Sequence, residues 1–247
     1  YQEFGRDYQE SNEIAQYLEK IGYAALDVDN GTYDSWYWPH PPVYMPEYCN
    51  LKDVTFLKKH VNIPVYCAGK MADPEVCNDE IAKGNIDGVA LARILLADPE
   101  WANKAQANIR DEIKPCIGCH IGCLGRLFQG KRMGCAINPE CGSEICYHYE
   151  KSDIQKHIVI VGGGIAGMEA ALDATKKGYL ATVYEASNQL GGAFISASAM
   201  SFKKEDKKLI QWYINECQKA GVQFVMNTKI TPELIDSLQF DELIIAT

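Results

Sequence analysis

His157-Ile-Val-Ile-Val-Gly-Gly-Gly-Ile-Ala-Gly-Met168 runs from an unbroken apolar stretch into spaced glycines. The apolar run predicts a buried strand over residues 156–161, the glycines a turn over 162–167, and the residues after them a helix over 168–177. Gly162, Gly164 and Gly167 give G-x-G-x-x-G, a weak pattern alone. Between a strand and a helix it marks a dinucleotide-binding turn. Gly162 permits the tight turn, Gly164 lets backbone N–H groups approach a pyrophosphate, and Gly167 lets the helix pack on the strand. Ile165 and Ala166 lie in the same turn. A second strand over 181–184 ends at Glu185, whose carboxylate suits both ribose hydroxyls and disfavours a 2′-phosphate. The bland alternative is a glycine turn without a ligand. A helix over 209–220, a strand over 223–226 and an apolar strand in 242–247 continue the α/β pattern.

Upstream, residues 114–150 lose all periodicity and hold six of the ten cysteines. Cys116, Cys119, Cys123 and Cys135 are spaced C-x₂-C-x₃-C-x₁₁-C, a bunched triple with a fourth thiol a loop away. Four thiolates can wrap zinc or an iron–sulfur cluster. Zinc sites more often use two separated C-x₂-C pairs. Pro115 before the triple and Asn138-Pro139 after the fourth cysteine favour [4Fe–4S]. Cys49, Cys67, Cys77, Cys141, Cys146 and Cys217 read as buried or incidental thiols.

Residues 1–113 alternate helix and short strand: helices over 7–21, 53–60, 74–83 and 99–109, strands over 24–28, 63–68 and 87–92. Such βα units mean a parallel sheet, and three suit the last part of a barrel. Gly69-Lys70 follows the second strand and Ala92-Arg93 ends the third. Backbone N–H groups there, with the two cations, would hold a phosphate; the alternative is a pair of solvated loop charges. The first strand is followed by a long aromatic loop, residues 29–44, in which Tyr33, Trp36, Tyr37, Trp38 and Tyr44 could line a pocket. His40 could donate a proton there or bind an oxyanion, or serve only packing.

The chain has 247 residues, 47% hydrophobic and 23% charged, with a net charge of −9. That composition excludes disorder and low-complexity fibres. The acidic balance speaks against nucleic acid, and the apolar runs are too short to span a bilayer. Ten cysteines without a leader or a small scaffold speak for metal or redox chemistry over disulfides. The chain starts at Tyr1 and stops on an apolar strand, so both ends are read as cut.

The Leu190-Gly191-Gly192 turn shortly after Glu185 resembles the two-dinucleotide-domain flavoproteins, in which the first glycine turn holds FAD. Across the chain the order is barrel end, C-I-G-C-x₃-C-x₁₁-C, G-G-G-x-x-G-M-E-A-A, then E-x₄-L-G-G. It resembles the iron–sulfur flavoenzymes of the Old Yellow Enzyme superfamily, which include 2,4-dienoyl-CoA reductase, 2-enoate reductase, the bile-acid NADH:flavin oxidoreductases and trimethylamine dehydrogenase. The loop motif Gly31-Thr-Tyr-Asp-Ser-Trp-Tyr-Trp-x-His-Pro-Pro42 looks most like the 2-enoate reductase branch.

The resemblance implies an α/β fold in three parts. Residues 1–113 would be the C-terminal part of an FMN-binding (β/α)₈ TIM barrel, 114–150 a [4Fe–4S] segment, and 151–247 the first part of a Rossmann-like FAD domain. It implies FMN phosphate contacts at Gly69, Lys70, Ala92 and Arg93, FAD contacts at Gly162, Gly164, Ile165, Ala166, Gly167, Glu185 and Gly192, and the four cysteines as cluster ligands. Lys70 stands where the family usually has Arg, which removes bidentate binding. The family's tyrosine acid would lie on an earlier strand outside this chain, leaving His40 as the catalytic candidate, and the NADH-binding domain would follow residue 247. The implied activity is NADH-dependent reduction of an activated C=C bond in a small molecule, with electrons passing NADH, FAD, cluster, FMN, substrate. The implied setting is an anaerobe's cytoplasm, with no membrane or nucleic-acid partner and a homo-oligomer left open. The isolated piece is not expected to turn over. Alternatives are a dienoyl-CoA or bile-acid enone substrate, amine oxidation, and a zinc-bound structural module.

Overall fold

The computed structural model describes residues 5–147 and 149–247. Among the described residues the chain forms two compact units. The first runs to Arg110 and takes up Gly118–Cys141; the second comprises Asp111–Ile117 and Gly142–Thr247.

The first unit is a βα series. Its helices and strands are α1 (Tyr8–Lys20), β1 (Leu26–Val28), α2 (Leu51–Lys58), β2 (Val65–Cys67), α3 (Pro74–Ala82), β3 (Gly88–Val89), α4 (Arg93–Ala97), α5 (Trp101–Gln106) and α6 (Leu124–Leu127). The three strands pair in parallel in the order β1-β2-β3, Leu26 against Val65 and Cys67 against Val89. This is the parallel α/β pattern of a barrel's end. α1 starts where Asp7 accepts a hydrogen bond from the Glu10 N–H, a side-chain cap. Its apolar stripe is narrower than the spacing predicts: Ala15 is buried, while Tyr17 and Ile21 face outward, Ile21 being already the C-cap. The core gathers Ala15, Val54, Val61, Val65, Cys67, Met71, Cys77 and Ile86. The helix expected over 99–109 is shorter, α5 at Trp101–Gln106, and a separate helix, α4, precedes it. Asp98 parts the two: its backbone is extended, its side chain accepts from the Glu100 N–H at 3.0 Å, and Pro99 follows.

The second unit holds β4 (His157–Val161), α7 (Ile165–Lys176), β5 (Leu180–Tyr184), α8 (Ala193–Ala197), α9 (Lys204–Lys219), β6 (Gln223–Val225), α10 (Pro232–Ser237) and β7 (Glu242–Ile245). All four strands are parallel, in the order β6-β5-β4-β7. The strand order therefore reverses beside β4, which puts a crevice at the carboxyl end of that strand. Ile158, Val159 and Ile160 are buried, and Met168, Ala171, Leu172, Leu209 and Tyr213 close the core from the helices. Removing the Leu209 side chain would cost about 2–5 kcal/mol. The segment Asp111–Ile117 belongs here because α9 holds it. The Trp212 indole donates to the Glu112 carbonyl at 2.9 Å, and the Lys114 ammonium lies 4.5 Å over the Trp212 ring. Among the described residues no helix is long and apolar enough to cross a membrane.

Candidate functional site

In the second unit the glycine turn sits where β4 meets α7, at the strand-order reversal. Gly162 has φ +109°, the left-handed region, and a Cβ there would meet the Ala246 carbonyl oxygen at 2.6 Å. A Cβ on Gly167 would lie 1.9 Å from the Gly162 carbonyl oxygen, so this glycine sets the strand–helix approach. Gly164 is different. Its φ is −74°, and the nearest atom to a Cβ is Gly192 Cα at 3.9 Å. The fold leaves that space open, as a cradle for a pyrophosphate does. Ile165 and Ala166 begin α7, so their N–H groups are among those without an intrahelical partner.

The Leu-Gly-Gly turn closes onto this cradle. Gly164 and Gly191 form a parallel bridge, and the Gly191 N–H donates to the Gly163 carbonyl at 2.8 Å. Gly163 is a site residue that the spacing did not single out. Its N–H donates to Glu185 Oε2 at 2.8 Å, and a Cβ on it would strike Leu190. Glu185 Oε1 accepts from the Ser187 N–H at 2.7 Å. Partial burial acts to raise the Glu185 pKa, but the N–H groups of Ser187 and Gly163 outweigh it and hold the carboxyl below its ordinary range. A depressed carboxyl pKa contributes stability that is present above the unfolded value and lost as pH falls through the folded one. The melting temperature of the chain should therefore drop more steeply than that of Glu185→Gln below about pH 4.3, the ordinary glutamate value. Parallel melting curves in that acid window would contradict this.

In the first unit Gly69 and Lys70 both have positive φ, +106° and +56°. The turn is forced at Gly69, where a Cβ would meet the Asn50 side chain at 2.5 Å. Lys70 Nζ donates to the carbonyls of Met45 (2.6 Å) and Val43 (3.3 Å). Arg93, the first residue of α4 behind Ala92, donates from Nη1 to the Pro41 carbonyl at 3.0 Å and contacts His120 Nε2. The two cations are thus gathered at one end of the sheet, on the carbonyls of residues 41–45. This suits a phosphate held by backbone N–H groups with positive charge beside it.

His40 lies in the same group. Its ring is 4.5 Å from Trp36, which also stacks on Tyr33. Burial, helped by Arg93 and opposed by Asp29, lowers its pKa and favours the neutral imidazole. Burial, helped by Asp27, raises the Asp29 carboxyl. Of the aromatics expected to line a pocket, Tyr33 stacks on Trp36 and Tyr37 packs on Trp38, and Tyr33 is 90% exposed. A cleft of about 580 Å³ opens beside them, lined by α1, β1, Asp29, Gly31, Thr32 and Ser35.

Of the four candidate cluster ligands, Cys119, Cys123 and Cys135 fall in the first unit and Cys116 in the second. Gly122 brings the first two close to the third: a Cβ on it would lie 2.8 Å from Cys135 Cα, and the Gly134 N–H donates to the Gly122 carbonyl at 2.8 Å. These three are thiols outside any disulfide, a donor set that fits an iron–sulfur centre. Among the described residues no three His, Cys, Asp or Glu side chains stand ready-grouped around a metal position. Cys67, Cys77 and Cys217 are buried, and burial pushes the Cys67 thiol up to about 12, as expected of apolar filler. His120, between Cys119 and the barrel end, is a further residue the sequence reading did not find. Burial and Arg93 lower its pKa to about 4.

Residues 2–112 match the NADH:flavin oxidoreductase / NADH oxidase family, and residues 128–239 match the pyridine nucleotide-disulphide oxidoreductase family. A cinnamate reductase of Clostridium sporogenes is 41% identical over 247 residues, covering 100% of this chain and 37% of its own length. An NADH oxidase of Thermoanaerobacter brockii is 38% identical, covering 99% of this chain and 38% of its own. The solved structure of a 2-naphthoyl-CoA reductase in complex with 2-naphthoyl-CoA superimposes with a TM-score of 0.92 at 27% identity, covering 99% of this chain and 38% of that one. The chain spans a little over a third of the length of these relatives.

Proposed function

Because the chain belongs to the NADH:flavin oxidoreductase / NADH oxidase family of the Old Yellow Enzyme type, we propose that it is part of a reductase that adds hydrogen across an activated C=C bond. The carrying observation is one continuous stretch that joins a parallel βα series, a C-x₂-C-x₃-C-x₁₁-C segment and a strand–glycine–helix turn. The proposed order of electron flow is NADH, FAD, [4Fe–4S], FMN, substrate, and when bound these groups supply the hydride and one-electron chemistry.

The chain's own residues bind and orient. The N–H groups around Gly164, Ile165 and Ala166 would hold the pyrophosphate of FAD and Glu185 its ribose, with Gly192 beside the cradle. Gly69, Lys70, Ala92 and Arg93 would hold the FMN phosphate, and Cys116, Cys119, Cys123 and Cys135 would be the cluster ligands. His40, kept neutral, hydrogen-bonds a substrate oxygen and so favours charge developing there.

Two features favour an aryl enoate as substrate. One is the pairing of aromatics in the loop; the other is 41% identity to a cinnamate reductase. A free acid or enone is preferred to a CoA thioester, because the loop from Asp29 to Tyr44 carries no Lys or Arg for CoA phosphates. A reducing cytoplasm is the proposed setting.

The test uses the full-length protein that contains this chain, purified without oxygen. It should hold about four irons and four sulfides per chain together with both flavins, and oxidise NADH when given cinnamate. One zinc and no sulfide, or flavins without any enoate-dependent NADH oxidation, would refute the reading.

A further inference from the structure

Within the first unit the cysteine-rich stretch touches the aromatic loop at three points. Gly118, with φ +64°, runs so close that a Cβ on it would be 2.9 Å from the Val43 nitrogen. Phe128 faces Trp36 with ring centroids 5.8 Å apart. Between them His120 sits against Arg93 and against Pro41, the residue after His40.

The bonding at His120 is directional. Arg93 has donors only, so His120 Nε2 accepts from Nη1 and the ring proton resides on Nδ1. Pro41 lies beside the imidazole, and its carbonyl accepts a hydrogen bond from Arg93 Nη1 at 3.0 Å. Two side chains, a barrel-end cation and a ring next to Cys119, therefore meet at the loop that carries His40. The backbone at His120 is left-handed, φ +60°, a conformation that costs a non-glycine residue about 1 kcal/mol or more and persists where its contacts hold it.

We propose that His120 is a positioning residue: it sets the direction of Arg93 and pins the loop at Pro41, so that the cysteine-rich segment shapes the substrate site. The functional part rests on the reductase reading above. The positioning part does not. His120 contacts neither substrate nor flavin in this scheme, and acts through Pro41 and Arg93.

Two variants of the anaerobically loaded full-length protein separate this role from mere packing. His120→Leu keeps bulk but has no acceptor for Arg93. His120→Asn restores one through its amide oxygen. Losing a hydrogen bond from a charged donor should speed amide hydrogen exchange of residues 29–44 about tenfold in His120→Leu, with His120→Asn close to the unaltered protein. Iron per chain should be the same in all three. KM for cinnamate should rise about tenfold in His120→Leu, with kcat less affected. Exchange within twofold of the unaltered protein, equal exchange in the two variants, or iron lost along with the loop's protection would each overturn the proposal. If exchange responds as expected while the unaltered enzyme ignores enoates, the positioning stands and the substrate reading falls.

Discussion

Gly167→Ala should strip FAD from the protein and lower its stability, whereas Gly164→Ala should strip FAD and leave stability nearly untouched. Both belong to the same G-x-G-x-x-G, and the geometry separates them. The added methyl at Gly167 would sit 1.9 Å from a backbone oxygen of Gly162, which no side-chain rotation can relieve. Either α7 backs away from β4 or the turn distorts. Overpacking of this kind costs about 1–3 kcal/mol or more. In a chain of this size that lowers the melting temperature by about 2–4 °C per kcal/mol. A hundredfold loss of FAD affinity is expected with it, about 2.8 kcal/mol. At Gly164 the methyl meets nothing nearer than 3.9 Å and the backbone is already at φ −74°. The only cost there is to a ligand whose phosphates need that volume. FAD per chain and thermal unfolding of the flavin-free proteins, measured side by side, decide it. Equal melting of the two variants, or full FAD in Gly164→Ala, would refute the assignment of the cradle.

The contrast shows what the residues disclosed. Features within a dozen residues of one another were legible: the strand into β4, the turn at Gly162, the role of Gly167, and Glu185 at the end of β5. So was the parallel α/β character, because strand and helix periods alternate in both halves. Boundaries were less so. The helix after Gly167 begins three residues earlier than its apolar period suggests, because the turn itself supplies its first residues. α9 begins at Lys204, in a charged stretch whose period is invisible until Leu209 is seen buried. The short helices α8 and α10 were not found at all, although Thr231-Pro232 is a capping signal for the second.

Contacts set by long-range geometry had no local signature. Gly163 reaches Gly191 and Glu185 only once β4 and β5 lie in register. Arg93 and His120 are separated by 27 positions and meet at Pro41, 52 positions before Arg93. Nothing in the spacing of these residues could announce that meeting. The aromatic loop was legible as unusual, but composition could not say whether its rings face a cavity or one another.

Cys135→Ser should remove the iron. Cys135 is the distant member of C-x₂-C-x₃-C-x₁₁-C, and the chain is built to return it: Gly122 has room for no side chain against Cys135 Cα, and the Gly122–Gly134 hydrogen bond ties the two arms. A serine hydroxyl ionises far less readily than a thiol and is a poor ligand for iron of this kind. Iron and sulfide should fall below about one per chain, and the broad visible absorption of the cluster should vanish while the flavin bands remain. The separation of activities is the stronger expectation. NADH oxidation with an artificial one-electron acceptor draws on FAD and should persist, whereas NADH oxidation coupled to an enoate should fall about 10³-fold or more, a barrier rise of about 4 kcal/mol. Cys146→Ser is the control, since Cys146 is exposed and outside the motif; it should keep iron and both activities. If Cys135→Ser keeps both its iron and its enoate activity, then Cys135 is no ligand and the fourth thiol must be sought among the remaining cysteines. Loss of a single zinc in place of iron would instead reassign the segment to a structural role and remove the one-electron relay from the scheme.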